Sequence, residues 1–211
     1  MQDEAGREDD AGREVMRERL LNLVTARKGH FKLESGHHGD LWLDLDSLFL
    51  RPGQIGPVVA ELGRLLSAHN IEAVCGPLVG GAFLAQLIAF ELDLEFYYSE
   101  RSAHPRSNAL YSAEYRIPNT LRSKARSSRV AIVDDAVNAG SAVGGTFADL
   151  RACGAEPVAI GALLILGSSA SRFAADRGIP LEGIASLPNV LWAPSECPLC
   201  ASLTPLENLI G

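Results

Sequence analysis

Between Ala73 and Leu166 the chain alternates short apolar runs with segments of helical length. Ala73 to Gly76, Leu94 to Tyr98, Val130 to Val133 and Pro157 to Leu166 read as strands, and Ala82 to Leu92 and Ala142 to Cys153 as helices between them. Strands that alternate with helices pair in parallel, because the helix is the crossover that returns the chain to the same end of the sheet, and both faces become covered. The expected fold class is therefore α/β, a parallel sheet flanked by helices. Ligands bind such sheets beyond the carboxyl ends of the strands. Three segments fall at such ends: Pro77 to Gly81, the residues after Ser99, and Asp134-Asp135.

Upstream, Val15, Leu20, Leu21 and Val24 recur at helical spacing and predict a helix from Glu14 to Arg27, with Gly29 as its stop. From His30 to Phe49, apolar and polar residues alternate on both sides of Ser35-Gly36, the pattern of short strands around a turn. Ile55 to His69 is a second amphipathic helix. The acidic stretch MQDEAGREDDAGRE reads as a frayed tail and not as a secretory leader. Residues 1–13 are thus expected to be disordered, residues 14–211 to form one domain, and the protein to be cytoplasmic.

Composition limits the partners. Apolar residues make up 47% and charged residues 21%, the balance of a soluble protein with a packed core. A net charge of -7 opposes binding to a nucleic-acid backbone or an anionic membrane, so a small ligand is expected instead. The uncharged run from Ala73 to Phe90 is broken by Gly76, Pro77, Gly80 and Gly81 and reads as strand, loop and helix, not as a membrane span. Of four cysteines only Cys197 and Cys200 have C-x-x-C spacing. No matching His or Cys pair stands near them in sequence, so they read as reduced thiols in a turn.

The stretch RVAIVDDAVNAGS places two adjacent carboxylates after an apolar run. Carboxylates there can hold ribose hydroxyls, hold a metal, or cap the next helix. A cap needs one side-chain oxygen, and two acids exceed that need. Ala139, Gly140 and Ser141 then lead into a helix, so backbone N–H groups and the positive helix end form an anion site. Carboxylates beside a phosphate cradle suggest a sugar phosphate. The chain has no Gly-Lys dipeptide and no G-x-G, which excludes a P-loop and the dinucleotide fingerprint as usually written.

Asp134-Asp135-Ala136-Val137-Asn138-Ala139-Gly140-Ser141 resembles the phosphoribosyl-diphosphate (PRPP) motif of type I phosphoribosyltransferases, with Asn138 where a hydroxyl residue is usual. The resemblance implies that Asp134 and Asp135 contact the ribose hydroxyls and hold Mg²⁺ indirectly, through water. It also implies that Asn138, Ala139, Gly140 and Ser141 enclose the 5-phosphate. Within that family the chain looks most like the orotate phosphoribosyltransferases, from about Gly29 to the C-terminus. GHFKLESGHHGDLWLD resembles their N-terminal hood, and CPLC followed by Pro205-Leu206 the C-terminal segment of one branch. A hood from about residues 29–50 and 185–211 is the expectation.

Gly76-Pro77-Leu78-Val79-Gly80-Gly81 resembles the family's pyrophosphate loop, which implies roles for Val79, Gly80 and Gly81. The implied reaction transfers 5-phosphoribose from PRPP to a ring nitrogen of a base, orotate being the best match, in a homodimer. A different base and a non-catalytic PRPP-binding regulator are the alternatives. Two departures stand out. The mobile loop, normally rich in lysine, reads Glu100-Arg101-Ser102-Ala103-His104-Pro105-Arg106-Ser107, and the chain's lysines are Lys28, Lys32 and Lys124. Arg101 and His104 become the catalytic candidates of that loop, and Arg106 a pyrophosphate ligand. The strand that should end in an orotate-binding arginine ends Ile165-Leu166-Gly167, and Arg172 and Arg177 downstream do not clearly replace it. Lys32, His37, Leu41 and Trp42 of the hood are then the candidates for the base.

Overall fold

A computed structural model describes residues 2–33, 35–102, 114–138 and 140–209, with side chains from residue 11 onward. In chain order the elements are α1 (Gln2–Leu23), β1 (Thr25–Lys32), β2 (His38–Asp44), α2 (Pro52–Ser67), β3 (Ala73–Pro77), α3 (Gly80–Leu92), β4 (Glu95–Arg101) and β5 (Tyr115–Arg116). They continue with α4 (Asn119–Ala125), β6 (Arg129–Val137), α5 (Ser141–Cys153), β7 (Glu156–Leu166), α6 (Ser169–Ala175), β8 (Leu181–Leu187), β9 (Leu191–Trp192) and α7 (Pro198–Ala201).

The main sheet has the order β5-β4-β3-β6-β7-β8, parallel except for the edge strand β5. From β3 the chain crosses through α3 to β4 on one side; from β6 it crosses through α5 to β7 on the other. The strand order therefore reverses between β3 and β6, and right-handed crossovers that leave in opposite directions put α3 and α5 on opposite faces. A crevice opens between the carboxyl ends of those two strands. The helical faces agree: Leu84 and Ile88 of α3 pack with α2, whereas Val143 and Leu150 of α5 pack in a second core on the other face.

The interior strand β7, EPVAIGALLIL, is almost continuously buried, as expected of a parallel strand covered on both faces. Gly161 leaves room for α2 to settle on it, since a Cβ there would come within 2.9 Å of Leu66 Cδ1. Leu66 is fully buried. Leu66→Ala is expected to cost about 2–5 kcal/mol, the usual range for an unfilled core cavity, read as a lower midpoint in urea unfolding.

A second sheet, β1-β2-β9, is antiparallel and joins the N-terminal hairpin to the C-terminal segment. Glu207 extends the junction: its N–H donates to the His30 carbonyl (2.7 Å) and its carbonyl accepts from Lys32 N–H (3.0 Å). From the segments expected to form a hood, Leu33, Ser35, Leu41 to Asp46 and Leu209 reach the crevice.

Two sequence expectations need correction. The first helix spans Gln2 to Leu23, not Glu14 to Arg27, and it stops early because Thr25 to Lys28 pair with Leu41 to Asp44. β6 does not stop before the aspartates but runs to Val137, with Asp134 opposite Ala162 and Val137 opposite Ile165. Among the described residues no helix is long and apolar enough to cross a membrane.

Candidate active site

The loop from β3 into α3 is held at the crevice by Leu78 N–H, which donates to the Ser99 carbonyl at 2.8 Å. Glycine is required where α3 begins. A Cβ on Gly80 would sit 1.9 Å from Asp135 Oδ2, and one on Gly81 would sit 2.7 Å from Asp134 Oδ1. The two segments singled out in the sequence are thus one packed unit, in which the carboxylates of β6 lie directly against the start of α3.

Both carboxylates are oriented by the backbone of β6. Asp134 Oδ1 accepts from Asp135 N–H at 3.1 Å, and Asp135 Oδ1 accepts from Ala136 N–H at 2.7 Å. Burial nevertheless disfavours the charged form of Asp135, with Asp46 adding repulsion, and its carboxyl is pushed up to about 6 despite those hydrogen bonds. Asp44 and Asp46, which the sequence reading missed, line the same cavity. Among the described residues no Lys or Arg lines it. Such a cluster of carboxylates suits a hard divalent cation and polyhydroxylated ligands.

After β6 the chain turns into α5 through Gly140, whose φ of 77° is left-handed and favours glycine. The first N–H groups of α5 follow at once, and Ser141 stands at its first position. Asn138 Oδ1 accepts from Asn189 Nδ2 at 3.0 Å, so the Asn138 amide nitrogen remains able to donate to a phosphate. Asn138, Gly140 and Ser141 all line the cavity; Ala139 lies outside the described residues.

The cavity measures about 520 Å³ and joins three walls: the loop Pro77 to Gly80, the motif from Asp134 onward, and the hood. From the hood come Leu33, Ser35, Leu209 and the run Leu41 to Asp46, which includes the expected Leu41 and Trp42. Leu166, at the end of β7, and Tyr115 of β5 also line it. Lys32 and His37 do not line the cavity. Lys32 is exposed at the end of β1, and His37 is buried with Nδ1 3.2 Å from Ser35 Oγ. Of the four residues expected at the base, Leu41 and Trp42 line the cavity and Lys32 and His37 do not.

Arg101 stands at the end of β4, paired with Tyr115, outside the cavity wall. His104 and Arg106 fall outside the described residues. Arg172 and Arg177 are absent from the lining. Arg177 lies over the Phe173 ring, 3.7 Å from its centroid. The sequence signal that would have found Asp44 and Asp46 is their alternation in LDLD at the end of a strand that faces the aspartate pair.

No family model matches the chain. Among curated proteins it is similar to the orotate phosphoribosyltransferase of Caldanaerobacter subterraneus, 27% identical over 199 residues that cover 92% of this chain and 95% of the relative. It is similar also to that of Thermotoga maritima, 29% identical over 195 residues, 92% and 96% of the two chains. Among solved structures, orotate phosphoribosyltransferase of Mycobacterium tuberculosis in complex with PRPP superposes with a TM-score of 0.58 at 20% identity, covering 83% of this chain and 96% of that one. Adenine phosphoribosyltransferase of Thermoanaerobacter pseudethanolicus gives 0.66 at 14% identity, covering 81% and 99%. The fold is that of the type I phosphoribosyltransferases, and over 92% of its length the chain is similar in sequence to their orotate-specific members.

Proposed function

We propose that the protein transfers the 5-phosphoribosyl group of PRPP to orotate, releasing pyrophosphate and forming a pyrimidine nucleotide. The observation that carries this reading is the packing of Asp134 and Asp135 against Gly80 and Gly81 at the point where the strand order reverses, with the start of α5 beside them. That unit supports a contact for each of the three parts of PRPP. Asn138, Ala139, Gly140, Ser141 and the first amides of α5 hold the 5-phosphate, Asp134 and Asp135 hold the ribose hydroxyls, and Val79, Gly80 and Gly81 receive the pyrophosphate.

Positioning and electrostatics then account for the chemistry. As the bond from the anomeric carbon to pyrophosphate lengthens, positive charge develops on the sugar ring. The two carboxylates, ionised and held by backbone amides, oppose that charge where it appears. Asp134 and Asp135 would hold Mg²⁺ indirectly, through water, and the ion would supply charge neutralisation for the departing pyrophosphate. Four carboxylates that line one cavity, Asp44, Asp46, Asp134 and Asp135, with no Lys or Arg among its described lining residues, support such a cation. Arg101, His104 and Arg106 supply the remaining cationic contacts, reaching the site from a neighbouring subunit of a two-fold dimer. Sedimentation that gave only monomer at working concentration would remove that element.

We assign the base to the apolar lining residues Leu33, Leu41, Trp42 and Leu166. We place the hood in residues 29–50 and 185–211 of one domain spanning 14–211, and the enzyme in the cytoplasm, a setting in keeping with its four unpaired cysteines. The structural likeness to an adenine phosphoribosyltransferase supports a second reading, transfer to a different base. Incubation with PRPP, Mg²⁺ and a panel of bases separates the two. Orotate is expected to disappear, and consumption of adenine alone would replace it as substrate.

Leu166 gives this site a specific weakness, because no charged donor from β7 meets the orotate carboxylate. Hydrogen bonds to charged groups contribute about 1.5–3 kcal/mol, so Leu166→Arg is expected to tighten orotate binding about ten- to a hundredfold. Calorimetry on PRPP-loaded protein checks it. An unchanged or weaker affinity would mean that the carboxylate lies elsewhere.

A further inference from the structure

The hood contains four side chains that phosphoribosyl transfer does not use. His30 on β1, His38 at the start of β2, and Cys197 and Cys200 around α7 each bring one ligand atom into a cluster whose members all lie within 4.8 Å of one another. Nε2 of His30 is 3.0 Å from Nδ1 of His38, 3.3 Å from Sγ of Cys197 and 3.7 Å from Sγ of Cys200. Sγ of Cys200 is 3.3 Å from Nδ1 of His38. A tetrahedral zinc ion, with Zn–N near 2.0–2.1 Å and Zn–S near 2.3 Å, requires edges of about 3.3 Å between nitrogens and about 3.6 Å between nitrogen and sulfur. The observed edges fall around those lengths.

The local backbone is shaped for the same purpose. Ala201 N–H donates to the Cys197 carbonyl and Leu203 N–H to the Cys200 carbonyl, so CPLC closes one tight turn that turns both thiols to one side. β1 changes register against β2 between Lys28 and Phe31, and the irregularity lets His30 and Phe31, adjacent in sequence, both be buried. The outer nitrogen of His30, Nδ1, lies 2.8 Å from the Thr204 carbonyl. Donation to that carbonyl fixes the tautomer with the Nε2 lone pair turned inward, the second-shell arrangement of metal-bound histidines.

Hydrogen bonding does not account for the cluster. In that tautomer His30 Nε2 accepts a single hydrogen, yet three heteroatoms crowd it. His30, His38 and Cys197 are almost entirely shielded from water, so solvent does not satisfy them either. Two thiolates and two imidazoles in tetrahedral array select zinc over hard cations, and four protein ligands leave no open position, which marks a structural and not a catalytic site.

We propose that His30, His38, Cys197 and Cys200 bind a structural Zn²⁺ ion that fastens the C-terminal segment to the N-terminal hairpin. The ion stands beside the Glu207 contacts with His30 and Lys32 and thereby holds the hood closed over the cavity, which Leu209 helps to line. This assignment does not depend on which reaction the cavity performs.

The test is metal analysis of the full chain purified under reducing conditions without chelator, followed by cobalt substitution. Roughly one zinc per chain is expected, with loss of the metal in Cys197→Ser/Cys200→Ser and a lowered melting temperature on zinc removal that zinc restores. Cobalt in the wild-type chain should show tetrahedral d–d absorption with a thiolate charge-transfer band, a readout that survives even if the double variant fails to fold. Three results would overturn the proposal: wild-type chain that retains no zinc after incubation with the ion, zinc content unaffected in the folded double variant, or six-coordinate cobalt without thiolate charge transfer. Iron in place of zinc as the retained metal would overturn the choice of ion.

Discussion

Asp134→Asn/Asp135→Asn is expected to lose PRPP affinity by about 10²–10⁴-fold, two hydrogen bonds to charged groups being removed at about 1.5–3 kcal/mol each. It should also be more stable than the wild-type chain at pH 8. Asparagine keeps the acceptor oxygens that receive Asp135 N–H and Ala136 N–H, so local geometry survives. What disappears is the burden of an ionised Asp135, whose carboxyl is pushed from 3.8 to about 6. A folded value above the unfolded one means that the native state holds its proton longer. The wild-type chain is therefore favoured below pH 4 and loses that advantage as pH rises through 6. Solvent in the cavity screens part of the effect, leaving about 1–3 kcal/mol at pH 8, or about 2–10 °C in melting temperature for a chain of this size. Thermal unfolding of both proteins at pH 4 and pH 8 checks the sign: the gain from the variant should shrink at the lower pH. A variant that melts lower at both values while still binding PRPP would make the pair a structural cap.

Gly80→Ala should be nearly as damaging to PRPP binding without touching any charge. Its Cβ would fall 1.9 Å from Asp135 Oδ2, so the carboxylate or the start of α3 must move. Losing one ribose hydrogen bond to a charged group costs about 1.5–3 kcal/mol, or about ten- to a hundredfold in PRPP affinity. Gly53→Ala is the matched control. Gly53 lies near the start of α2 with nothing within 4 Å of its added Cβ, and alanine there should stabilise the helix by about 0.5–1 kcal/mol and leave PRPP binding intact. Equal PRPP affinity in Gly80→Ala and Gly53→Ala would contradict the packing of the pyrophosphate loop against the aspartates.

The sequence carried the site wherever its residues are close in the chain. Asp134 to Ser141 is one strand end and one turn, and the loop Pro77 to Gly81 follows the neighbouring strand β3, so local pattern and topology located both. It did not carry the strand length. Aspartate is depleted in strands, which suggested an end at Val133, whereas the long apolar partner β7 extends pairing to Val137. Pairing also overrode helical spacing at Thr25 to Lys28, where β2 claimed residues that fit the first helix.

The hood was least legible, because its contacts are the longest in sequence. Cys197 meets His30 across 167 residues, so the thiol pair looked isolated although its imidazole partners stand in the N-terminal hairpin. For Lys32 and His37 the reason is local. Both belong to the expected segment, but strand alternation and the bend at Ser35 turn neither into the cavity, whereas Leu41 and Trp42 do reach it.

The most direct measurement is stoichiometric: phosphorus NMR of wild-type protein with PRPP, Mg²⁺ and orotate, beside the Asp134→Asn/Asp135→Asn variant. Wild-type protein should convert PRPP into equal amounts of pyrophosphate and nucleotide monophosphate only when the base is present, and the variant should leave PRPP unchanged. PRPP bound by wild-type protein but never consumed with any base would contradict the transferase account and leave a PRPP-binding regulator.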